Sequence, residues 1–360
     1  MLEWPWVLAQ AGRGKPSLLN DRKNEHLDVV LSGRGRSSGQ TGFDEIAFEH
    51  AALPELDMDD IDLSTTFVGK RINAPFLVSS MTGGPARALA INQNLAEACN
   101  ALGLPLAIGS QRIAIESREN AGLGQELRRL APDIPLLANF GAAQLNLGFG
   151  LAEAERAVEM IGADALIIHL NPLQEAVQPE GNRNWRGLLG RIETMAGALH
   201  VPIIAKEVGA GISGALARRL VDVGVQIIDV AGSGGTSWAL VEAERAQSPE
   251  QAAIARAFAD WGVPTATAIA DVRRACPEAV VIGSGGVRDG IDAAKAIRLG
   301  ADLVGQAAGV LAAATQSAEA VTSHFNVLVQ QLRIACFCTG SANLAALKQA
   351  SVQNRNVPLR

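Results

Sequence analysis

Eight short apolar runs recur along the chain, at 75–80, 105–110, 135–140, 165–170, 201–208, 226–231, 280–284 and 302–306. Between them, apolar residues return every three or four positions, as at 91–102, 151–161, 214–223 and 289–299, the period of an amphipathic helix. Strands that alternate with helices build a parallel sheet. Eight such repeats without a break in composition predict closure into a (β/α)₈ TIM barrel rather than an open doubly wound sheet. A chain of 360 residues with 48% apolar content can fill one large barrel of this kind.

The flanks follow different rules. Residues 1–70 read as an N-terminal arm and lead-in: 33–42 is rich in Gly, Arg and Ser and reads as a flexible loop, and 56–66 is an acidic approach to the first strand. Residues 71–310 form the expected barrel. Residues 311–360 read as a C-terminal helical extension packed outside it, since 310–350 is Ala-rich and helical in pattern. The ends, 1–18 and 351–360, are expected to fray. Residues 242–251, which break the sixth repeat with charge, are expected to be a mobile loop.

A net charge of −6 speaks against a nucleic-acid partner, yet a few placed Lys and Arg can still bind a phosphorylated metabolite. No apolar run reaches the about 18–20 residues of a membrane span, and no basic segment precedes the short N-terminal apolar stretch, so a cytoplasmic protein is expected. Cys99, Cys276, Cys336 and Cys338 lack zinc-type spacing. They read as reduced thiols, with Cys336-Phe-Cys338 as helix packing. His50, His200 and His324 are scattered and read as structural or exposed.

A parallel barrel carries its active site where its strands end. The run after 165–168 is the richest of these ends, with His169, Asn171, Gln174 and Glu175 in quick succession, and Pro172 and Pro179 placed to prevent a smooth helix; a solvated loop is the plainer alternative. Lys206 closes an apolar strand, and alternation turns Glu207 away from it, which aims Lys206 into the pocket. Gly285 and Gly286 let the backbone approach an anion, with Arg288 adding charge. Gly234, Gly235, Thr236 and Ser237 could add donors. Such glycine-rich ends also serve simply as tight turns. Gly209-Ala-Gly-Ile-Ser-Gly214, with Asp229 further on, matches the dinucleotide fingerprint on paper. Four complete repeats precede it, so it reads instead as a close helix start. Arg22-Lys23, far upstream, is a pair of the kind that is usually solvated.

Taken together, Arg22-Lys-Asn-Glu-His26, Ser80-Met-Thr-Gly-Gly84, Gly109-Ser-Gln-Arg112, Ala138-Asn-Phe-Gly141, His169-Leu-Asn-Pro-Leu-Gln-Glu175, Lys206-Glu-Val-Gly-Ala-Gly-Ile-Ser213, Gly234-Gly-Thr-Ser-Trp238 and Ser284-Gly-Gly-Val-Arg-Asp-Gly290 resemble the type II, flavin-dependent isopentenyl-diphosphate isomerases. The resemblance spans about residues 20–345. It implies a (β/α)₈ enzyme that binds FMN and Mg²⁺, uses NADPH as reductant, converts isopentenyl diphosphate to dimethylallyl diphosphate, and assembles as a homo-oligomer, a tetramer or octamer.

The resemblance also implies roles. Ser80, Met81, Thr82, Ser110, Asn139, Lys206 and Thr236 would contact FMN, and Gly285, Gly286, Arg288, Gln306 and Ala307 would hold its phosphate end. The Lys206 ammonium would stabilise the anionic reduced flavin. Arg22, Lys23, Ser110 and Arg112 would take the substrate diphosphate. Gln174, His169 and Asn171 would act near the reacting carbons, and Glu175 would ligate Mg²⁺. Residue 182 is Asn where the family often has Asp, the 33–40 insert and the N-terminal leader look extra, and the chain has no tyrosine. Two further readings stay open: another FMN-dependent TIM-barrel oxidoreductase, or a phosphometabolite-binding barrel without chemistry. The sixth strand end, Ala231-Gly-Ser-Gly-Gly-Thr-Ser-Trp238, lacks the His of a 2-hydroxyacid oxidase and the Cys of an inosine-monophosphate dehydrogenase.

Overall fold

The computed structural model describes residues 16–81, 86–117 and 123–354. Eight parallel strands close into one barrel: Phe76–Val78, Leu106–Ala107, Leu136–Gly141, Ala165–Leu170, Ile203–Glu207, Ile227–Asp229, Val280–Ser284 and Leu303–Gln306. The eighth pairs with the first through Val304 and Phe76. One strand falls on each predicted run, the third extending one residue past it to Gly141. The helices Ala86–Leu102, Leu151–Ile161, Gly214–Asp222 and Gly290–Arg298 occupy the predicted amphipathic segments.

The barrel interior is a dry layer of Leu77, Ala107, Leu137, Ala165, Ile167, Ile204, Ile227, Ile282 and Leu303. Each fully buried Leu or Ile stabilises the fold by about 1.5–3 kcal/mol before entropy is counted. Their neighbours in sequence, such as Val78, Leu136, Leu166, Ile203 and Val281, belong to the outer core beneath the helices. Phe67 and Ile72 close the amino end of the barrel from a hairpin, Thr65–Phe67 with Lys70–Ile72. Its two-residue turn places Val68 and Gly69 at φ 41° and 80°. That is the left-handed conformation of a tight hairpin turn, which Val rarely adopts, so no turn signature marks this hairpin in the sequence.

Several flank expectations are corrected. The 33–42 segment is fixed to the barrel rather than loose: Ser37 N–H donates to Gly235 O and Ser237 N–H to Gly35 O, both at 2.8 Å. Asp260 accepts from the Ser37 and Ser38 hydroxyls and the Gly39 N–H. Residues 242–251 are not a loop. They span the end of helix Trp238–Glu244 and the start of Pro249–Arg256, whose N-terminus is capped by Ser248 with Pro249 in the first turn. Residues 16–18 begin helix Pro16–Leu31, and Val352–Asn354 pairs antiparallel with Ile46–Phe48. Residues 1–15 and 355–360 lie outside the described residues. A short helix, Pro172–Val177, does follow the fourth strand, because Pro172 sits at its first turn where no N–H is needed. The C-terminal helix Ala318–Cys338 packs on Ala86–Leu102 and Gly290–Arg298, and Cys336 is buried in that packing.

The fingerprint-like glycines at 209–214 serve an internal anion. Glu207 Oε2 accepts the N–H groups of Val208, Gly209, Ala210 and Gly211. The backbone concavity that would cradle a phosphate is filled by the chain's own carboxylate.

Candidate active site

Alternation along the strands fixes what faces the carboxyl end of the barrel. Leu77, Ala107, Leu137, Ile167, Ile204, Ile227, Ile282 and Leu303 point inward. Two residues further on, the same face carries Ser79, Gly109, Asn139, His169, Lys206, Asp229, Ser284 and Gly305. Every position in this ring is polar or glycine. Gly305 has no room for a side chain, since a Cβ there would stand 2.5 Å from Ser79 Oγ and 2.8 Å from Ser284 Cβ.

A cavity of about 250 Å³ opens above the ring. Its lining brings together Arg22, Lys23, Ser80, Met81, Ser110, Arg112, Asn139, His169, Asn171, Gln174, Glu175, Lys206, Thr236 and Ala307, residues expected to form the site although they lie far apart in sequence. A larger hollow, about 810 Å³, lies outside the fourth and fifth strands. Its walls are mostly Leu, Ile, Trp and Phe, and its carboxylate, Glu207, is already occupied by backbone N–H groups, so it offers little for chemistry.

The helix Pro16–Leu31 forms the cavity roof. Arg22, Lys23, His26, Leu27 and Val30 all line it, at the three- and four-residue spacings of one helix face. Lys23 is pushed down to about 7, first by burial and then by Arg22 and Arg112. Three cationic side chains therefore crowd one rim. Arg112 is tied to Glu116 at 3.0 Å and Arg22 to Glu180 at 3.5 Å.

Across the cavity the amides are oriented. Asn139 Nδ2 donates to Ile108 O at 3.3 Å, which leaves its Oδ1 to accept from His169 Nδ1 at 2.8 Å. His169 is held neutral, its pKa pushed down to about 3 by burial, then by Lys206 and Lys23. Asn171 Nδ2 donates to Gln174 Oε1 and to Glu175 Oε1 at 3.1 and 3.2 Å, and the second Glu175 oxygen accepts the Asn182 N–H. Gln174 Nε2 donates to Glu242 Oε1 at 3.0 Å.

Glu242 is the principal residue that sequence reasoning missed. It is 4% exposed and also bonds His26 Nε2 at 3.0 Å and Arg245 at 2.6 Å. Burial alone would raise it. The bonds from His26 and Gln174 and the charge of Arg245 outweigh burial and hold it below the usual carboxylate range. A signal was available: Glu242 lies four residues after Trp238, between Val241 and Ala243, so a charge falls on the apolar face of a helix.

The expected phosphate residues are placed less simply. Arg288 bonds Asp292 and Asp44. Gln306 donates to Val287 O at 3.1 Å and pairs with His324 Nε2, which gives His324 a structural task. Neither lines the cavity. Gly285 and Gly286, at φ 106° and 66°, pack against Gly232 and Gly234 of the sixth strand end. Thr82 lies outside the described residues.

The donor set fits a flavin mononucleotide. Buried oxygens of Ser79, Ser80 and Asn171 have no partner among the described residues, as expected of groups facing a polar ligand. Among the described residues no group of three or more potential metal ligands occurs. A magnesium ion commonly takes one or two carboxylates and completes its shell with phosphate oxygens and water, so Glu175 beside a diphosphate also fits.

Comparison with known proteins agrees with the geometry. Residues 172–354 match the family of FMN-dependent dehydrogenases. The chain is 64% identical over 337 residues to an isopentenyl-diphosphate delta-isomerase of Stutzerimonas stutzeri, covering 93% of this chain and 97% of that one. It is 51% identical over 338 residues to the protein of that name from Synechocystis, covering 93% and 96%. Among solved structures, a mandelate oxidase with (S)-2-phenylpropionate superposes with a TM-score of 0.63 at 19% identity, covering 94% and 99% of the two chains, a likeness of fold. No described helix is long and apolar enough to cross a membrane.

Proposed function

The chain belongs to the isopentenyl-diphosphate delta-isomerase family, in its FMN-dependent type II form, and from that premise we propose that it converts isopentenyl diphosphate to dimethylallyl diphosphate by a 1,3-allylic proton shift. The observation that carries this reading is the convergence of Arg22, Lys23 and Arg112 on one rim of a cavity whose other walls include the amides Asn139, Asn171 and Gln174 and the neutral imidazole of His169. Such a site holds a polyanion at one end and an uncharged, oriented group at the other.

The reaction adds a proton at C4 of an unactivated alkene and removes another from C2, with no net redox change. When bound and reduced, with NADPH as the reductant, FMN would supply an acidic proton and an electron-rich face for the developing positive charge. The chain's residues do the rest. Lys206, which lines the cavity, would offer a positive charge to the reduced flavin. Arg22, Lys23, Ser110 and Arg112 take the diphosphate, and Glu175 holds Mg²⁺ against it, which fixes the alkene in position. The roof helix excludes water, which would otherwise quench a carbocation.

Gln174 lies beside the reacting carbons, its amide held in one orientation by Asn171 and Glu242. His169, with Nδ1 engaged by Asn139 and its imidazole held neutral by burial and by Lys206 and Lys23, presents a neutral ring to the substrate. The helix Pro16–Leu31 serves as the lid over the barrel, and the helix Ala318–Cys338 braces it from outside. The four free thiols suit a reducing compartment such as the cytoplasm. In deuterated water, the dimethylallyl product should carry solvent deuterium in a methyl group. Product formed without any solvent label would rule out the proton-shift reading.

A further inference from the structure

The ring at the strand ends contains two formal charges, Lys206 and Asp229. They are register partners on the adjacent fifth and sixth strands, and they are 7% and 1% exposed. On its other side Lys206 faces His169, its register partner on the fourth strand, which is neutral. Two further charges lie near this group: Lys23 in the roof, of the same sign, and Glu207, which Lys206 pulls down but which turns away from the ring and spends its Oε2 on the N–H groups of Val208, Gly209, Ala210 and Gly211. Lys206 therefore has one balancing anion at the level of the ring.

The Asp229 carboxylate is built into its place. Oδ1 accepts the hydroxyl of Ser284, from the seventh strand. The N–H of Ala231, a non-glycine residue held at φ 37°, also bonds it. Oδ2 is fully buried without a hydrogen-bond partner among the described residues. Burial raises this carboxyl above its ordinary value, and Lys206, Ser284 and Ala231 each pull it back. Lys206 Nζ donates to Glu207 O at 2.6 Å, and an ammonium has three donors. A buried ammonium without a counter-charge releases its proton.

We propose that Asp229 is the positioning residue and counter-ion of Lys206, balancing the buried charge at the ring that would face the flavin. This deepens the reading of the same site and rests on it for the flavin alone. The Ser284 bond and the Ala231 backbone fix the carboxylate, so the charge beneath the cofactor is set by the joined ends of three strands rather than by Lys206 by itself.

Two measurements test it. Sulfite adds to oxidised FMN at N5 and places a negative charge on the ring that a nearby cation stabilises. With purified holoenzyme, Asp229→Asn should weaken sulfite binding relative to the unchanged protein by at least about tenfold at pH 8, one pKa unit's worth of differential interaction. Lys206→Met should be weak at both pH 8 and pH 6. Sulfite bound as tightly by Asp229→Asn as by the unchanged protein across this range overturns the proposal. The second measurement needs no flavin: thermal unfolding of the apoprotein for Asp229→Asn, Lys206→Met and the double variant. The double variant should lose less Tm than the sum of the singles, because each single leaves one buried charge alone. Additive losses, or a double variant no more stable than Asp229→Asn, contradict the pairing. A failure to bind FMN would remove the first measurement and leave the second intact, so the two ideas fail separately.

Discussion

His26 Nε2 lies 3.0 Å from Glu242 Oε1, a contact that joins the N-terminal helix to the helix after the sixth strand across the top of the cavity. Trp238 stacks edge-on against the same imidazole at 5.1 Å. Burial holds His26 below its ordinary value, while the Glu242 bond works in the opposite direction. The roof over the cavity is thus latched by a buried polar contact that also steadies Gln174.

Glu242→Gln should therefore act at a distance. Without the ionised carboxylate, the Gln174 amide loses its fixed orientation, and kcat should fall by on the order of 10²-fold with FMN content unchanged. The pH dependence follows from the depressed carboxyl. Ionised Glu242 stabilises the fold above its unfolded value of about 4.5, and this is lost as pH falls through the lower folded value. Thermal unfolding between pH 3 and 6 should show a steeper acid loss for the unchanged protein than for Glu242→Gln.

Lys23, pushed down to about 7, should take up a proton when the diphosphate arrives, because a bound anion favours its charged form. Substrate binding measured by calorimetry at pH 8 in buffers of different ionisation enthalpy should report proton uptake, and Lys23→Arg should abolish it. Without ligand the sign is also fixed. The unfolded chain holds the Lys23 proton up to its ordinary value of 10.5, so this residue makes apoprotein stability rise with pH between about 7 and 10. Arg22→Ala and Lys23→Ala should raise KM for the diphosphate and leave FMN affinity unchanged.

Gln174 and Glu175 are adjacent but should separate cleanly. Glu175→Gln removes the charge suited to a hard cation, so the Mg²⁺ needed for half-maximal rate should rise, and excess Mg²⁺ should partly restore activity. Gln174→Ala should lower kcat with Mg²⁺ dependence near normal. Flavin stoichiometry should be unaffected in both. A shifted Mg²⁺ dependence for Gln174→Ala alone would reverse the assignment.

Gly286→Val should lose FMN while keeping its helical content by circular dichroism. A Cβ at this left-handed position would lie 2.6 Å from Gly234 O. The seventh strand end would be pushed off the sixth, and the backbone donors of both would lose their common aim. Normal flavin content in this variant would place the phosphate elsewhere.

The barrel was legible because its strands are buried on both faces and its helices are amphipathic, so both periods stand out in the sequence. The site was legible where the strand ends carry it: Asn139, His169, Lys206 and Thr236 all line the cavity. The roof was not. Arg22, Lys23 and His26 meet the strand ends only through tertiary packing, and 16–31 was read as an arm rather than as a helix with one functional face. Glu242 was hidden because a charge in a sequence reads as solvent-facing, whereas here His26, Gln174 and Arg245 satisfy it in the interior. Arg288 and Gln306 show the converse. Their side chains are spent on Asp44, Asp292, Val287 and His324, partners that no local pattern announces.

The most direct test of the whole account is an anaerobic assay with isopentenyl diphosphate, FMN, Mg²⁺ and NADPH, in which each is omitted in turn and dimethylallyl diphosphate is measured. The expected result is a yellow protein that is inactive while its flavin stays oxidised, becomes active once it is reduced, and consumes no stoichiometric NADPH thereafter. Full isomerisation with oxidised flavin and no reductant would contradict it.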